Sequence, residues 1–438
     1  MSAAHPSWGR YPRARGQRGL ALHWRWELPR WDDLAGPLLA RGLGRSYGDA
    51  CLNPGGWLLL ARGLNRLLAF DPATGVLRAE AGVSLAEILE FAAPRGWFLP
   101  VTPGTRFVTL GGAIANDVHG KNHHRAGTFG RHVTRLELAR SDGGRLVCSP
   151  GENAELFAAT IGGLGLTGLI TWAELRLTRV ASADLAAEYL RFGGLDEFFA
   201  LSRESDQAYD YTVAWVDCLA GGARLGRGIF MRANHLEEPV AGLGRGGAAL
   251  AVPCDLPGWV LNPLTVRAFN ALYYHRQTRP IIRTPVDYRS FFHPLDAIAN
   301  WNRIYGRRGF VQFQGLAPTG PDRAVMGEML RLVAKSGQGS FLAVLKVCGD
   351  PPSPGFMSFP RAGTTLALDF PLRGQSTLRL METLAGLVQA AGGRLYPAKD
   401  ACMSPKNFRA FYPQWPRLAA AADPRFSSGF WRRVAAGD

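Results

Sequence analysis

Two glycine-rich segments constrain this chain more than any other feature. Residues 41–49 read Arg41-Gly42-Leu43-Gly44-Arg45-Ser46-Tyr47-Gly48-Asp49, three glycines in nine positions. Residues 102–130 carry Thr102-Pro103-Gly104-Thr105, then Leu110-Gly111-Gly112-Ala113-Ile114-Ala115-Asn116-Asp117-Val118-His119-Gly120-Lys121-Asn122-His123-His124, then Gly127-Thr128-Phe129-Gly130. Glycine lets the backbone turn with positive φ and approach a ligand closely. Successive N–H groups in such a loop form a concave nest for a phosphate. Small residues at Gly111, Gly112, Ala113 and Ala115 leave room for a large flat ligand against the chain.

Neither segment is the GxGxxG of a dinucleotide fold. That pattern does occur, as Gly163-Leu164-Gly165-Leu166-Thr167-Gly168. The fingerprint needs a strand before it and a helix after it, so that pyrophosphate meets a helix N-terminus. Here a helical pattern precedes and a strand pattern follows, which argues against a nicotinamide site. The HxxxHH spacing of His119, His123 and His124 raises a metal site, but Asp117 is the one carboxylate beside them and no rigid shell surrounds them. No metal is expected.

The periodicity around these segments is mixed. Residues 57–61 and 76–80 read as strands, the second entered through Thr74-Gly75. Ser84 and Glu87 form a capping-box pattern opening a helix over 85–93, which Pro94 and Gly96 end. Residues 135–139 and 145–148 flank Ser141-Asp142-Gly143-Gly144, a hairpin signal. A helix over 152–161 and a strand over 169–177 follow. Beyond residue 180 the texture changes. Residues 217–228 are glycine-rich, and 237–263 lack periodicity and read as a loop or lid. Helical patterns return at 321–334 and 376–391, Gly392-Gly393 closes the second, and 394–398 reads as a strand. The aromatic tail over 405–417 reads as packed.

Composition narrows the function classes. A 47% hydrophobic and 19% charged chain is an ordinary globular protein, not a disordered one. The net charge of +15 suits anionic partners, and arginine enrichment from a GC-rich genome explains it equally well. No basic arm or aromatic–basic ladder is present, so nucleic acid is not an expected partner. Six cysteines without a CxxC pair suggest neither a zinc knuckle nor a disulfide framework. Arg10, Arg13, Arg15 and Arg18 precede no apolar run of the signal-peptide kind. The most apolar stretch, 248–264, is broken by Pro253, Asp255, Pro257 and Pro263, which excludes a standard transmembrane helix. A cytoplasmic location, peripheral at the inner membrane, is the expectation.

The two glycine segments together resemble the FAD-binding oxidoreductases of the vanillyl-alcohol oxidase type, and within them the branch that oxidises polyprenylphosphoryl pentoses. Further residues carry the resemblance: Gly162 to Gly168, Ala214-Trp215 with Asp217, Trp301-Asn302-Arg303, Gln312, Gln314, Lys346, Asp369-Phe370-Pro371, Gly393-Arg394-Leu395-Tyr396 and Ala398-Lys399-Asp400. It spans nearly the whole chain from Arg41, and the HGKNHH and AKD elements are its most specific parts. Three features depart from it. The stretch between Arg10 and Arg41 is shorter than the family's first strand–helix unit. Ala367 stands where mycobacterial members carry a cysteine, and Val213 and Cys348 differ from the expected pocket residues.

The resemblance implies an α+β fold: a two-subdomain FAD-binding domain over 1–180, an α+β substrate or cap domain with a large antiparallel sheet over 181–393, and a return to the first domain over 394–438. It implies FAD held by Arg41, Gly42, Leu43, Gly44, Arg45, Ser46, Tyr47, Pro103, Gly104, Thr105, Gly111, Gly112, Ala115, Asn116, His119, Gly120, Asn122, Gly168, Ile170, Tyr396 and Lys399. Related sugar oxidases have a flavin-linked histidine at position 45. Arginine cannot form that bond, so non-covalent FAD is expected. The implied substrate wall is His119, Trp215, Gln312, Gln314, Lys346, Thr365, Asp369 and Lys399, with the Lys346 charge suited to a substrate phosphate. Lys399 and Tyr47 are the expected catalytic pair, stabilising charge and passing on a proton.

The implied reaction is oxidation of the 2-hydroxyl of a decaprenylphosphoryl-ribose-like lipid sugar to the keto sugar, the first half of a 2-epimerisation giving an arabinose donor. An NADH-dependent short-chain reductase is the implied partner. The apolar 248–274 segment, with Trp259, Phe269, Tyr273 and Tyr274, is a candidate contact for the polyprenyl chain or a membrane surface, or a plain lid. The alternatives are an alditol or aldonolactone oxidase acting on a soluble polyol, and a non-catalytic flavin-binding protein.

Overall fold

Period-two alternation in the second half of the chain decides the architecture. Along Phe310–Pro318 and Gly363–Pro371, one set of alternate residues (Val311, Phe313, Leu366, Leu368, Phe370) is apolar and fully buried. The other set (Gln312, Gln314, Thr365, Ala367, Asp369) is polar or small. Neighbouring strands obey the same rule, with Ala214, Val216 and Leu345 on the apolar side and Val213, Trp215, Val344 and Lys346 on the other. Helices Asp322–Ser336 and Gln375–Ala390 cover the apolar face with Met326, Met329, Leu330, Leu384 and Val388. Each such side chain taken fully out of water contributes about 1.5–3 kcal/mol. The second face is left free to line a site.

The structure is a computed structural model that describes residues 5–243 and 250–435. Those strands belong to an eight-stranded antiparallel sheet in the order Ile281–Val286, Leu185–Phe192, Gly228–His235, Tyr211–Val216, Ala343–Cys348, Gly363–Pro371, Phe310–Pro318, Arg394–Leu395. The first part of the chain builds two larger sheets, besides a two-stranded pairing of Trp97–Phe98 with Thr178–Arg179. One is parallel and three-stranded, with Trp57–Leu60 between Arg18–Ala21 and Leu38–Arg41. The other is antiparallel and five-stranded, in the order Leu67–Asp71, Val76–Glu80, Leu169–Arg176, Val133–Ala139, Arg145–Cys148. The chain is therefore α+β, with a large antiparallel sheet.

Local signals acted as physics predicts. Ser84 accepts from the Glu87 N–H while the Glu87 carboxylate accepts from the Ser84 N–H, and helix Leu85–Ala92 follows. The Ser141–Gly144 turn joins its two strands, with Gly143 at φ 87°. The false GxGxxG lies between helix Ala154–Thr160 and strand Leu169–Arg176, the order expected for it. All six cysteines are free thiols.

Four expectations need correction. The strand expected over 394–398 ends at Leu395, because the Lys399 and Asp400 N–H groups turn back to the Tyr396 carbonyl. Arg394–Leu395 pairs with Phe310–Pro318, so it belongs to the large sheet and the return toward the first sheets starts after it. The helix expected over 152–161 begins at Ala154, since Asn153 adopts a left-handed φ of 53°. The 237–263 loop is not wholly irregular: Leu250–Ala251 pairs with Ile298–Ala299, and Asn262 caps helix Pro263–His275. Its residues 244–249, and so Ala248, lie outside the described residues.

The tail closes the molecule around the first glycine segment. The Leu38 N–H donates to the Arg425 carbonyl and the Ser427 N–H to the Leu38 carbonyl. The Arg433 guanidinium bridges Asp49 at 2.7 Å and Asp400 at 3.0 Å, tying residues after the first glycine segment to those after Lys399. Phe408, Phe411 and Tyr412 are buried, as the aromatic tail implied.

Candidate active site

A cavity of about 730 Å³ lies between the two glycine segments and the polar face of the eight-stranded sheet, a volume typical of cofactor and ligand sites. Every residue expected to touch cofactor or substrate lines it except Asn122. The Asn122 amide instead donates to the Pro100 carbonyl at 2.7 Å and braces the second segment from behind.

The first segment leaves strand Leu38–Arg41 as an open loop. The N–H groups of Leu43, Gly44, Arg45 and Ser46 meet no acceptor among the described residues. Gly44 has φ 64°, and a Cβ there would stand 2.2 Å from the Arg41 guanidinium. That guanidinium sits inside the loop, donating to the carbonyls of Cys51 and Pro6 at 2.7 Å each. The Arg45 guanidinium rests on the Trp8 ring, 4.0 Å from its centre. Behind the loop, the Gly9 N–H donates to the Tyr47 carbonyl, which gives the short N-terminal stretch its place.

The second segment supplies the flat wall. At Gly104 a Cβ would have no heavy atom within 4 Å, and at Gly112 only the Thr109 hydroxyl at 3.0 Å. Both glycines thus leave open cavity where a side chain would stand. The four orphaned N–H groups of the first segment form an acceptor-seeking nest, and the bare second segment offers a planar surface. Together they fit the diphosphate and the ring system of FAD.

Facing this wall is a polar cluster that would sit at the reacting end. The Asp369 carboxylate is fully buried and accepts from the Gln312 amide through Oδ1, while Oδ2 has no partner. Burial raises the Asp369 pKa above the usual carboxylate range and lowers that of Lys399, and the two opposite charges partly offset both shifts. The Lys399 ammonium lies 3.8 Å from the Tyr47 ring centre. Burial, then the Asp369 charge, holds the Tyr47 phenol well above its ordinary pKa.

His119 lies 2.9 Å from the Gln314 amide through Nε2 and packs between Phe359 and Tyr396. Burial and the Lys346 charge hold its pKa well below the ordinary value, so the ring is neutral. With Nε2 accepting, the proton is on Nδ1, which has no partner. The three histidines do not converge: His124 contacts the Tyr209 carbonyl, and both His123 nitrogens are buried without a partner. Trp215 donates to the Phe341 carbonyl at 3.0 Å and packs on Tyr273. The Tyr396 hydroxyl donates to the Asn116 carbonyl at 2.8 Å, and Gly168 and Ile170 complete the wall from the five-stranded sheet.

Of the lining residues that escaped the sequence reading, three bear on the site's charge or on the placing of its loops. Asp296 accepts from the Thr105 hydroxyl at 2.6 Å and the Arg106 N–H at 2.9 Å, pinning the second segment to the cap side. Nothing in its local sequence marks it. Trp8, under Arg45, is equally unmarked. Lys121 had a signal, being one of only five lysines in a chain with far more arginine.

Comparison with known proteins agrees with this geometry. A family model described as an FAD binding domain matches residues 33–149. The chain is 36% identical over 412 residues, 91% of its length and 89% of the relative's, to decaprenylphosphoryl-beta-D-ribose oxidase of Mycolicibacterium smegmatis. It is also 36% identical over 369 residues to an uncharacterized Streptomyces coelicolor protein, covering 80% of this chain and all of that one. A shorter match, 32% identical over 111 residues, reaches the human Delta(24)-sterol reductase across 25% of this chain and 22% of that one. The orphaned nest, the bare wall and a relative matched along nearly its full length lead to one conclusion: the chain is an FAD-dependent oxidoreductase and belongs to the vanillyl-alcohol oxidase-type family that includes decaprenylphosphoryl-beta-D-ribose oxidase.

Proposed function

We propose that this enzyme oxidises the 2-hydroxyl of a polyprenylphosphoryl pentose to the keto sugar, the first half of a 2-epimerisation that a separate NADH-dependent short-chain reductase completes. The observation that carries the reading is the unpartnered Asp369 oxygen beside Lys399 at the cavity wall. Alcohol oxidation needs a base for the hydroxyl proton and a cation for the developing alkoxide, and this pair supplies both. FAD, when bound, supplies the hydride acceptor. Asp369 takes the proton, since its raised pKa brings it nearer to that of the task. Lys399 holds the alkoxide, and Tyr47, expected to pass on the proton, in this reading holds Lys399 through its ring instead, because burial keeps its phenol well above its ordinary pKa. His119 offers Nδ1–H to a sugar oxygen, and Gln312 and Gln314 orient Asp369 and His119. The FAD contacts are the cavity-lining residues of the two glycine segments together with Gly168, Ile170, Tyr396 and Lys399, without a covalent bond because Arg45 stands at the linking position.

The lipid-linked substrate is supported by the relative's name and by the cap. Phe269 and Tyr273 of helix Pro263–His275 line the cavity, while Leu264, Leu272 and nearby Trp259 are about three-quarters exposed. A polyprenyl chain leaving past Phe269 would meet that apolar surface, which also suits peripheral membrane contact. Among the described residues no helix is long and apolar enough to cross a membrane. The division into an FAD-binding part up to residue 180, a cap over 181–393 and a C-terminal return belongs to the same proposal, with the return starting after Leu395.

Anaerobic turnover decides between this reading and a soluble-polyol oxidase. Farnesylphosphoryl ribose should reduce the enzyme, while xylitol and gulonolactone should not. The reverse pattern would overturn the proposal.

A further inference from the structure

Three of the five lysines in this chain line this cavity, and the other two, Lys335 and Lys406, are exposed. In a sequence that otherwise uses arginine for positive charge, this placement is selective. A compact ammonium fits a small buried site that a planar guanidinium does not. Lys399 has Asp369 as counter-charge. Lys121 and Lys346 have no carboxylate partner among the described residues.

Their surroundings are built rather than accidental. The Lys346 ammonium donates to the Gly120 carbonyl at 2.6 Å, and the Lys121 ammonium donates to the Phe291 carbonyl and lies 4.5 Å from the Phe291 ring centre. The two charges repel each other. Thr365 is the cross-strand partner of Lys346, is 3% exposed, and its hydroxyl has no partner. Asp369 follows four residues later on the same strand and the same face. Burial lowers the Lys121 pKa to about 7 and that of Lys346 in the same direction. Buried Lys346 and half-buried Lys121 face no carboxylate among the described residues, and with the unused Thr365 hydroxyl they make a site that a bound anion would complete by restoring both charges.

We infer that Lys121, Lys346 and Thr365, which line the same cavity, form the subsite for the phosphate ester of the substrate, four residues along the strand from Asp369. This rests on the proposed reading of the cavity as the site for a phosphorylated lipid sugar. The two lysine amines and the Thr365 hydroxyl donate to the two non-bridging oxygens of the phosphodiester, whose single negative charge lies between the amines. The site would hold the anomeric phosphate while the neighbouring sugar hydroxyl faces Asp369.

The test uses the FAD-loaded enzyme and calorimetric binding of farnesyl phosphate and farnesol. Wild type should bind the phosphate about tenfold or more tightly than the alcohol, as charge-assisted hydrogen bonds imply. Lys121→Met should collapse that margin to about twofold or less, and Thr365→Val, which keeps the side-chain volume, should reduce it by about threefold. Ribose 1-phosphate separates the source of the phosphate. Competition by the prenyl ester alone or by both supports the subsite, the second showing that the lipid is dispensable for it. No margin in wild type, or a margin that survives in both variants, overturns the inference. Turnover of farnesylphosphoryl ribose is scored separately, so a phosphate margin untouched by the variants in an enzyme that still oxidises this substrate removes the subsite and leaves the function standing.

Discussion

The Lys399 ammonium stands 3.8 Å from the centre of the Tyr47 ring, so a residue of the C-terminal loop is fixed by the first glycine segment. The Tyr47 N–H donates to the Ala398 carbonyl, and Arg433 binds Asp49 and Asp400 beyond both residues. These contacts tie the first glycine segment to the loop that carries Lys399, the proposed catalytic lysine.

Removing the lysine should affect chemistry far more than cofactor retention, because Lys399 is one proposed FAD contact among many. Lys399→Met is expected to lower kcat by about 10²–10³, the scale of losing one preorganised charge at a developing alkoxide. Flavin content should stay near wild type. Tyr47→Phe keeps the ring and should cost little, whereas Tyr47→Leu should cost about 1 kcal/mol of transition-state stabilisation. Stopped-flow flavin reduction measures all three.

The pH profile of kcat/KM should be bell-shaped. Asp369 acts ionised, so activity is lost as pH falls through its pKa, which burial places above the ordinary value of about 4. Lys399 acts charged, so activity is lost as pH rises through a pKa that burial places below the ordinary value of about 10.4. The two limbs report the pair rather than either residue alone. Asp369→Asn should abolish the acidic limb along with most activity; an unchanged acidic limb would assign the base elsewhere.

Two glycine substitutions should separate fold from cofactor binding. Gly104→Leu places a side chain in open cavity, so stability without cofactor should change by no more than about 0.5 kcal/mol while FAD occupancy falls. Gly48→Ala would put a Cβ 1.7 Å from the Asp400 carbonyl oxygen, and should destabilise the fold by about 1–3 kcal/mol. Thermal melts and flavin-to-protein absorbance ratios distinguish the outcomes.

Ser84→Ala removes one half of the capping box and should cost about 1 kcal/mol in denaturant unfolding, with flavin content unchanged.

What was legible in the sequence follows the range of each interaction. The Ser84 cap and the Gly143 hairpin depend on neighbours within four residues, and both were readable. The two loops that wall the cavity were readable because glycine marks a backbone requirement directly. The end of the last strand was not, since Pro397 and the turn back to the Tyr396 carbonyl outweigh an apolar run. Asp296 joins the site through contacts about 190 residues apart in the chain, and Trp8 through a loop without pattern. Asn122 shows the converse: it sits within a specific motif, yet its amide serves the loop and not the cavity. Motif membership places a residue near a site but not the direction in which its side chain points.

The central claim is that this FAD enzyme oxidises a lipid-phosphate pentose, and anaerobic mixing with farnesylphosphoryl ribose tests it most directly. The account predicts bleaching of the flavin band near roughly 450 nm, the region of flavin absorbance, with one equivalent of 2-keto sugar formed per flavin reduced. A flavin that stays oxidised with this substrate but bleaches with xylitol or gulonolactone would contradict it.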